Sequence, residues 1–221
     1  SSFTWEKDHL VIEFNEYSIP HFDRVKGTVK IFPENITNIE CNLLPDNSHI
    51  WRPFAPTSRI EVQINRPGWN WNGHGYFDAN FGTTALEKDF SYWTWGRFPT
   101  SDGSIAFYDA IPRNSNPLNL ALHFKRNGQV QQINAPPPIA PMRRSLWLVK
   151  RNTRSDPDFK PRQVKHMLDT PFYTRSAVET SIMGERVIGV HEALDLNRFA
   201  NPALKPLLAV KAPRYTLGKT N

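Results

Sequence analysis

The chain has 221 residues, of which 12% are aromatic, including seven Trp and fourteen Phe, and 22% are charged. That length holds one large β domain or two small ones, and the apolar surface is enough to offset the entropy of folding, which excludes a disordered chain. The net charge of +6 is scattered rather than gathered into a nucleic-acid-binding arm, and a lone Cys41 excludes an intrachain disulfide and a cysteine-based zinc site.

Scattered positive charge suits a solvated surface or a layer of anionic lipid headgroups. No apolar run reaches the roughly 20 residues that cross a bilayer as a helix, and no charged-then-apolar leader opens the sequence. A soluble or peripheral protein is expected. The start at Ser1 rather than Met reads as a processed or trimmed chain.

In chain order, residues 10–17 and 24–32 alternate apolar and polar side chains around a turn at Pro20 and predict a hairpin. His49-Ile-Trp-Arg-Pro-Phe-Ala-Pro56 follows the turn signature Pro45-Asp-Asn-Ser48. Short runs rich in β-formers then recur at 59–64, 74–80, 90–95, 104–109 and 118–124, each bounded by Gly, Pro, Asn or Asp, the spacing of an antiparallel meander. Four of the seven residues of Ala135–Pro141 are proline and lack an amide donor, so this segment is expected as a linker between a region 1–134 and a region 142–221. Runs at 145–150, 162–168, 172–180 and 187–194 predict further strands. Only 195–208 reads as helical, and its prolines keep the helix short. The expected fold is all-β, with antiparallel strands closing into a barrel or two packed sheets, and barrels of this size hold one small ligand.

Two dyads carry the chemistry. Side chains on a strand alternate faces, so His49 shares a face with Trp51, and Tyr76 shares one with Asp78 while Phe77 points away. If the two segments are neighbours, an acid, an imidazole, a phenol and an indole line one cavity. The plainer roles are a turn-capping Asp78, a hydrogen-bonding loop histidine and a core tryptophan. Glycines at 73, 75 and 82 favour the functional reading, since glycine in strands often marks a close approach of backbone or ligand. Tyr92, Trp93 and Trp95, with the two indoles on one face, either pack a core or wall a cavity for a polyene and stabilise a cation through their π faces. His191-Glu192 lacks the second histidine of a zincin helix, and no nucleophile elbow, P-loop or dinucleotide fingerprint occurs. No metal or organic cofactor is expected.

The blocks 49–56, Gly73-His-Gly-Tyr-Phe-Asp-Ala-Asn-Phe-Gly82, Phe90-Ser-Tyr-Trp-Thr-Trp-Gly-Arg-Phe-Pro99, Met167-Leu-Asp-Thr-Pro-Phe-Tyr-Thr-Arg-Ser176 and Gly189-Val-His-Glu-Ala-Leu-Asp-Leu196 resemble the carotenoid 1,2-hydratases of phototrophic bacteria over nearly the whole chain. The resemblance implies a lipocalin-like, calycin-type fold. It also implies cofactor-free addition of water to the terminal double bond of acyclic carotenoids such as neurosporene and lycopene. The residues implicated in the family match His49, Trp51, Tyr76 and Asp78. Family members carry a further segment ahead of Ser1, so strands that close the barrel are expected to be missing here.

On this reading Asp78 is the general acid, oriented by Tyr76, with a pKa raised by burial among Phe77, Trp51 and the Trp93/Trp95 region. A charged His49 would oppose that shift, so a neutral His49 that orients water is expected. Trp51 faces the developing cation, a contact of about 2 kcal/mol when desolvated. The implied partners are carotenoid, water and, peripherally, membrane lipid at the cytoplasmic side of the bacterial inner or photosynthetic membrane, with 204–214 as a mixed apolar and basic contact or a barrel-sealing tail. Taken without the resemblance, the residues leave open a non-catalytic polyene carrier, a cyclase or pericyclase on the same barrel, and more distantly a sugar-binding domain.

Overall fold

The computed structural model describes residues 1–18 and 22–204, and these divide into two compact units. The first comprises 1–83 with 101–104 and 124–131, and the second comprises 84–100, 105–123 and the residues from 132 onward. Both are built from antiparallel strands, and among the described residues the second also holds two single-turn helices, so the chain is all-β with a short helix near its C-terminal end. The expected turn at Pro20 lies outside the described residues, as does the 204–214 segment beyond Leu204.

The first unit holds a six-stranded sheet. Strands β1 (Ser2–Glu6), β2 (His9–Tyr17) and β3 (Arg24–Pro33) form a meander, followed by the two-residue β4 (Cys41–Asn42) and the long hairpin of β5 (His49–Ile64) and β6 (Trp71–Gly82). β5 is the hub. Its first residues lie between β4 and β6, with Trp51 opposite Cys41 on one side and Asn80 on the other, and its last seven lie between β3 and β6. The alternation expected at 10–17 and 24–32 does form a hairpin, in register from Leu10 with Ile31 to Tyr17 with Arg24.

β5 does not pair evenly. From Arg52 to Ala55 and again from Ala55 to Ser58 it advances three residues while β6 advances two, from Ala79 to Phe77 to Gly75. Each step is a bulge, and each contains a proline, Pro53 or Pro56, that offers no amide to the ladder. Bulges bend a strand and turn its side chains, and here they fall directly opposite Asp78 and Tyr76.

In the second unit α1 (Leu86–Asp89) leads into β7 (Phe90–Thr100), β8 (Gly103–Pro112), β9 (Leu118–Lys125) and β10 (Val130–Gln132). β11 (Ile139–Met142), β12 (Arg151–Arg154), β13 (Arg162–Asp169), β14 (Tyr173–Ile182), β15 (Glu185–Asp195) and α2 (Leu196–Phe199) follow. The seven-stranded sheet runs β10-β9-β8-β7-β15-β14-β13 and packs Phe98, Ile105, Phe107, Ala121, Val178, Ile182 and Val187 into one core.

Residues 135–141 lie inside this unit. Ile139–Met142 pairs with Arg151–Arg154, and the buried Arg154 guanidinium donates to Pro137 O at 2.9 Å while gripping Asp109 with bonds of 2.6 and 3.0 Å. The prolines need no amide partners, and their carbonyls serve as acceptors, Pro137 O for the arginine and Pro138 O for Ser155 N–H. Burial pushes the Asp109 carboxyl above its ordinary value, against the pull of Arg154.

One expectation fails here. Residues 145–150 form a turn rather than a strand, because Ser145 closes a short loop on Val149 and Leu148 takes a left-handed φ of 61°. The short helix expected within 195–208 forms over Leu196–Phe199, capped by the Asp195 carboxylate on Arg198 N–H, and turns at 202–204 begin at Pro202, while 205–208 lie outside the described residues.

Candidate active site

Strand pairing determines which side chains meet. Trp51 lies opposite Asn80, so period two puts Asp78 and Tyr76 on the face of β6 that Trp51 occupies on β5. His49 shares that face, opposite Gly82, which contributes no side chain. Cys41, opposite Trp51 on β4, belongs to it as well.

Three of these groups form a closed triangle. The Trp51 Nε1–H donates to Asp78 Oδ2 at 2.8 Å, the Tyr76 hydroxyl donates to the same oxygen at 2.9 Å, and the indole nitrogen is 3.2 Å from the Tyr76 oxygen. Trp51 is fully buried (0% exposed) and so fixes the triangle in the sheet, whereas Asp78 and Tyr76 are only half-buried and stay open on one side. Two donors on one carboxyl oxygen stabilise negative charge there, since hydrogen bonds to an ionised acceptor are about twice as strong as neutral ones.

His49 is buried at 3% exposure, just after the turn in which Ser48 N–H donates to the Asp46 carboxylate at 3.0 Å and Asn47 has a φ of 60°. Its backbone carbonyl accepts from Leu43 N–H, which fixes the strand start that aims the ring. Burial raises the Cys41 thiol to about 11, so it stays protonated at neutral pH and is not poised as a thiolate nucleophile.

The other candidates have surroundings of their own. Phe77 turns to the opposite face of β6, across from Ala55, and stacks on Phe54 with ring centroids 5.8 Å apart. Tyr92, Trp93 and Trp95 belong to the second unit. There Tyr92 donates to Lys150 O at 2.8 Å, Trp93 lies 5.8 Å from the Tyr108 ring, and Trp95 is buried. Burial is the main cause that pushes the Tyr92 phenol up from its ordinary value. His191 is also buried, with its Nε2–H donated to Asn152 O at 2.7 Å, and no group of three or more potential metal ligands occurs among the described residues.

Sequence reasoning passed over Asn80 and the two bulges. Asn80 was legible as the next step of the alternation from Tyr76 and Asp78. The bulges had a signal too, the paired prolines of Arg52-Pro-Phe-Ala-Pro56 inside a strand-like run.

Comparison with known proteins gives this arrangement a context. The profile of the family Carotenoid hydratase CrtC matches residues 1–220. An acyclic carotenoid 1,2-hydratase from Cereibacter sphaeroides is 53% identical over 215 residues, and one from Rhodobacter capsulatus is 48% identical. Each alignment covers 97% of this chain and 76% of the relative. Among solved structures, a Nitrosomonas europaea protein named as a candidate AttH superimposes with a TM-score of 0.55 at 14% identity, covering 88% of this chain and 67% of that one. At that identity the likeness speaks for a shared lipocalin-like fold.

Proposed function

Because the chain belongs to the Carotenoid hydratase CrtC family, a family of hydro-lyases acting on carotenoids, we propose that it hydrates the terminal 1,2 double bond of an acyclic carotenoid with the Asp78 carboxyl as general acid. The observation that carries this reading is the convergence of the Trp51 and Tyr76 donors on Asp78 Oδ2. Protonating a trisubstituted alkene at C2 breaks its π bond and leaves a tertiary cation at C1. Making that cation is the difficult step.

With Oδ2 occupied as an acceptor, the transferable proton sits on Oδ1. As it leaves, the growing carboxylate charge falls on a group whose donors are already in place, so little reorganisation opposes the transfer. The indole face of Trp51 adds attraction for the developing cation. Water then adds to C1 and loses a proton, and His49 is the group we assign to orient that water and accept the proton. The proton released restores the one consumed, so the cycle balances without an organic cofactor.

Acyclic carotenoids dissolve in lipid, which supports a peripheral position at a membrane, and the cytoplasmic side of the inner or photosynthetic membrane is the location proposed here. Purified protein incubated with lycopene or neurosporene in heavy water is expected to give a product one water heavier, with one deuterium at C2 and, in labelled water, the heavy oxygen in its hydroxyl group. A product isomeric with the substrate would replace hydration with a rearrangement on the same site. Missing label at either position would reject direct hydration.

A further inference from the structure

The run Arg143-Arg-Ser-Leu-Trp-Leu-Val-Lys-Arg151 takes no part in the proposed chemistry, and its structure differs from what its apolar composition predicts. A Leu-Trp-Leu-Val sequence between β-formers would ordinarily be buried. Here Leu146, Trp147 and Leu148 stand 69%, 46% and 60% exposed at the tip of a turn, while Ser145 and Val149 beneath them are buried.

The turn is held from below. Ser145 N–H donates to Val149 O, Leu148 N–H to Ser145 O and Val149 N–H to Ser145 Oγ, which closes the loop. The Asp169 carboxylate accepts from Leu146 N–H at 2.8 Å, and Arg198 donates to Trp147 O at 2.7 Å and to Pro171 O at 3.0 Å. Leu148 is kept at a φ of 61°, a region costly for a side chain with a Cβ and sustained only where the surroundings impose it. The backbone is thus tied down so that three adjacent apolar side chains face outward.

The charge flanking the tip in sequence is of one sign. Arg143, Arg144 and Lys150 are exposed on its two flanks, and the run 143–151 contains no carboxylate. The nearby Asp169 is buried and engaged with the turn's own amide. Leucines project at the apex, the tryptophan beside them is amphipathic, and the cations form a collar set back in sequence from the tip. This order matches the layers of a bilayer surface, where acyl chains underlie an interface favoured by indole rings and then an anionic headgroup plane.

We propose that the 145–149 turn is a membrane-seating loop, which inserts Leu146, Trp147 and Leu148 into the interface of a bilayer while Arg143, Arg144 and Lys150 engage anionic lipid headgroups. Charge argues against a second copy of the chain as occupant, since pairing two such turns would bring like collars together. The choice of a bilayer rather than an acidic protein groove rests on the proposed carotenoid substrate. Binding is expected to be reversible, because three side chains and three cations give peripheral rather than permanent attachment.

The test compares wild type with Leu146→Ser/Trp147→Ser/Leu148→Gly and with Arg143→Gln/Arg144→Gln/Lys150→Gln by co-sedimentation with phosphatidylglycerol-containing and pure phosphatidylcholine vesicles. Glycine at 148 suits the left-handed φ, and circular dichroism together with hydration of detergent-dispersed carotenoid reports that the fold survives. Wild type should bind the anionic vesicles, and the tip variant should bind them at least about tenfold more weakly. The charge variant should lose most of the dependence on salt and on anionic lipid. Equal vesicle binding by wild type and tip variant would overturn the proposal, as would wild type that binds neither vesicle. A change of oligomeric state confined to the tip variant would overturn it in favour of self-association. Vesicle binding by a wild type that fails to hydrate carotenoid would reject the proposed reaction and leave the seating loop standing.

Discussion

The two long hairpins, one in each unit, are the same motif made in opposite ways. β14 and β15 pair through ten consecutive residues without a register shift, from Tyr173 with Leu194 to Ile182 with Glu185. They turn through Met183 and Gly184 at φ 54° and 84°, a left-handed pair that follows the natural twist of the strands. The Asp156 carboxylate receives both turn amides and the Ser181 hydroxyl. β5 and β6 instead break register twice within seven residues of Trp51. Each hairpin buries a histidine, but His191 sits in the even ladder against a backbone carbonyl, whereas His49 shares its face with the carboxyl triangle. Regular pairing gives stability, and the interrupted pairing gives a place where side chains can be aimed.

The largest separation between the two should come from Asp78→Asn. It keeps the shape of the side chain and removes the transferable proton, so hydration should fall by about 10³-fold, within the range for a general acid. The thermal midpoint should hardly move. Retained turnover would remove Asp78 from the mechanism and with it the contrast.

Gly189→Ala is the reciprocal experiment in the regular hairpin. An added Cβ would lie 2.2 Å from Arg97 O and 2.8 Å from Phe98 Cα, backbone atoms that cannot yield cheaply. A loss of about 3 kcal/mol is expected, or roughly 6–12 °C in thermal midpoint, with hydration per folded molecule unchanged. A normal midpoint would show that the even ladder is looser than its register implies.

Smaller effects sharpen the comparison inside the site. Trp51→Phe and Tyr76→Phe each remove one donor from Asp78 Oδ2. Each should lower kcat by about tenfold to a hundredfold, the worth of one hydrogen bond to a charged group. Because both act on one oxygen, the double variant should lose less than the product of the single losses, as a double-mutant cycle on kcat would reveal. Full additivity would mean that the two donors act separately.

The smallest effect is a pH dependence in the regular hairpin. Burial holds His191 down at about 4, below the value of about 6.5 for an unfolded chain. Between those values the unfolded chain binds the extra proton. Stability from this group is therefore complete above pH 6.5 and is lost as pH falls toward 4, by about 1 kcal/mol at pH 5.5. His191→Gln should flatten that slope in urea titrations across the same window, and an unchanged slope would assign the acid sensitivity to other groups.

Much of this was legible in the chain. Alternation announced the β2–β3 hairpin and the facial pairing of His49 with Trp51 and Tyr76 with Asp78, because side-chain direction on a strand is a local property. The exposed turn at 145–149 was not legible. Its residues have strand propensity, and what holds them out of a sheet is a set of distant partners, Asp169 and Arg198, that no local window contains. The shortness of α2 was legible, because Pro202 closes off the helix a few residues after its start.

By itself, then, the sequence determined the all-β class, the family and the faces on which the acid, phenol and indole point. Only the tertiary structure decided that these faces meet. Register belongs to two strands at once, a slip of one residue turns every side chain to the other face, and the two extra residues of β5 are visible as bulges only against the ladder of β6.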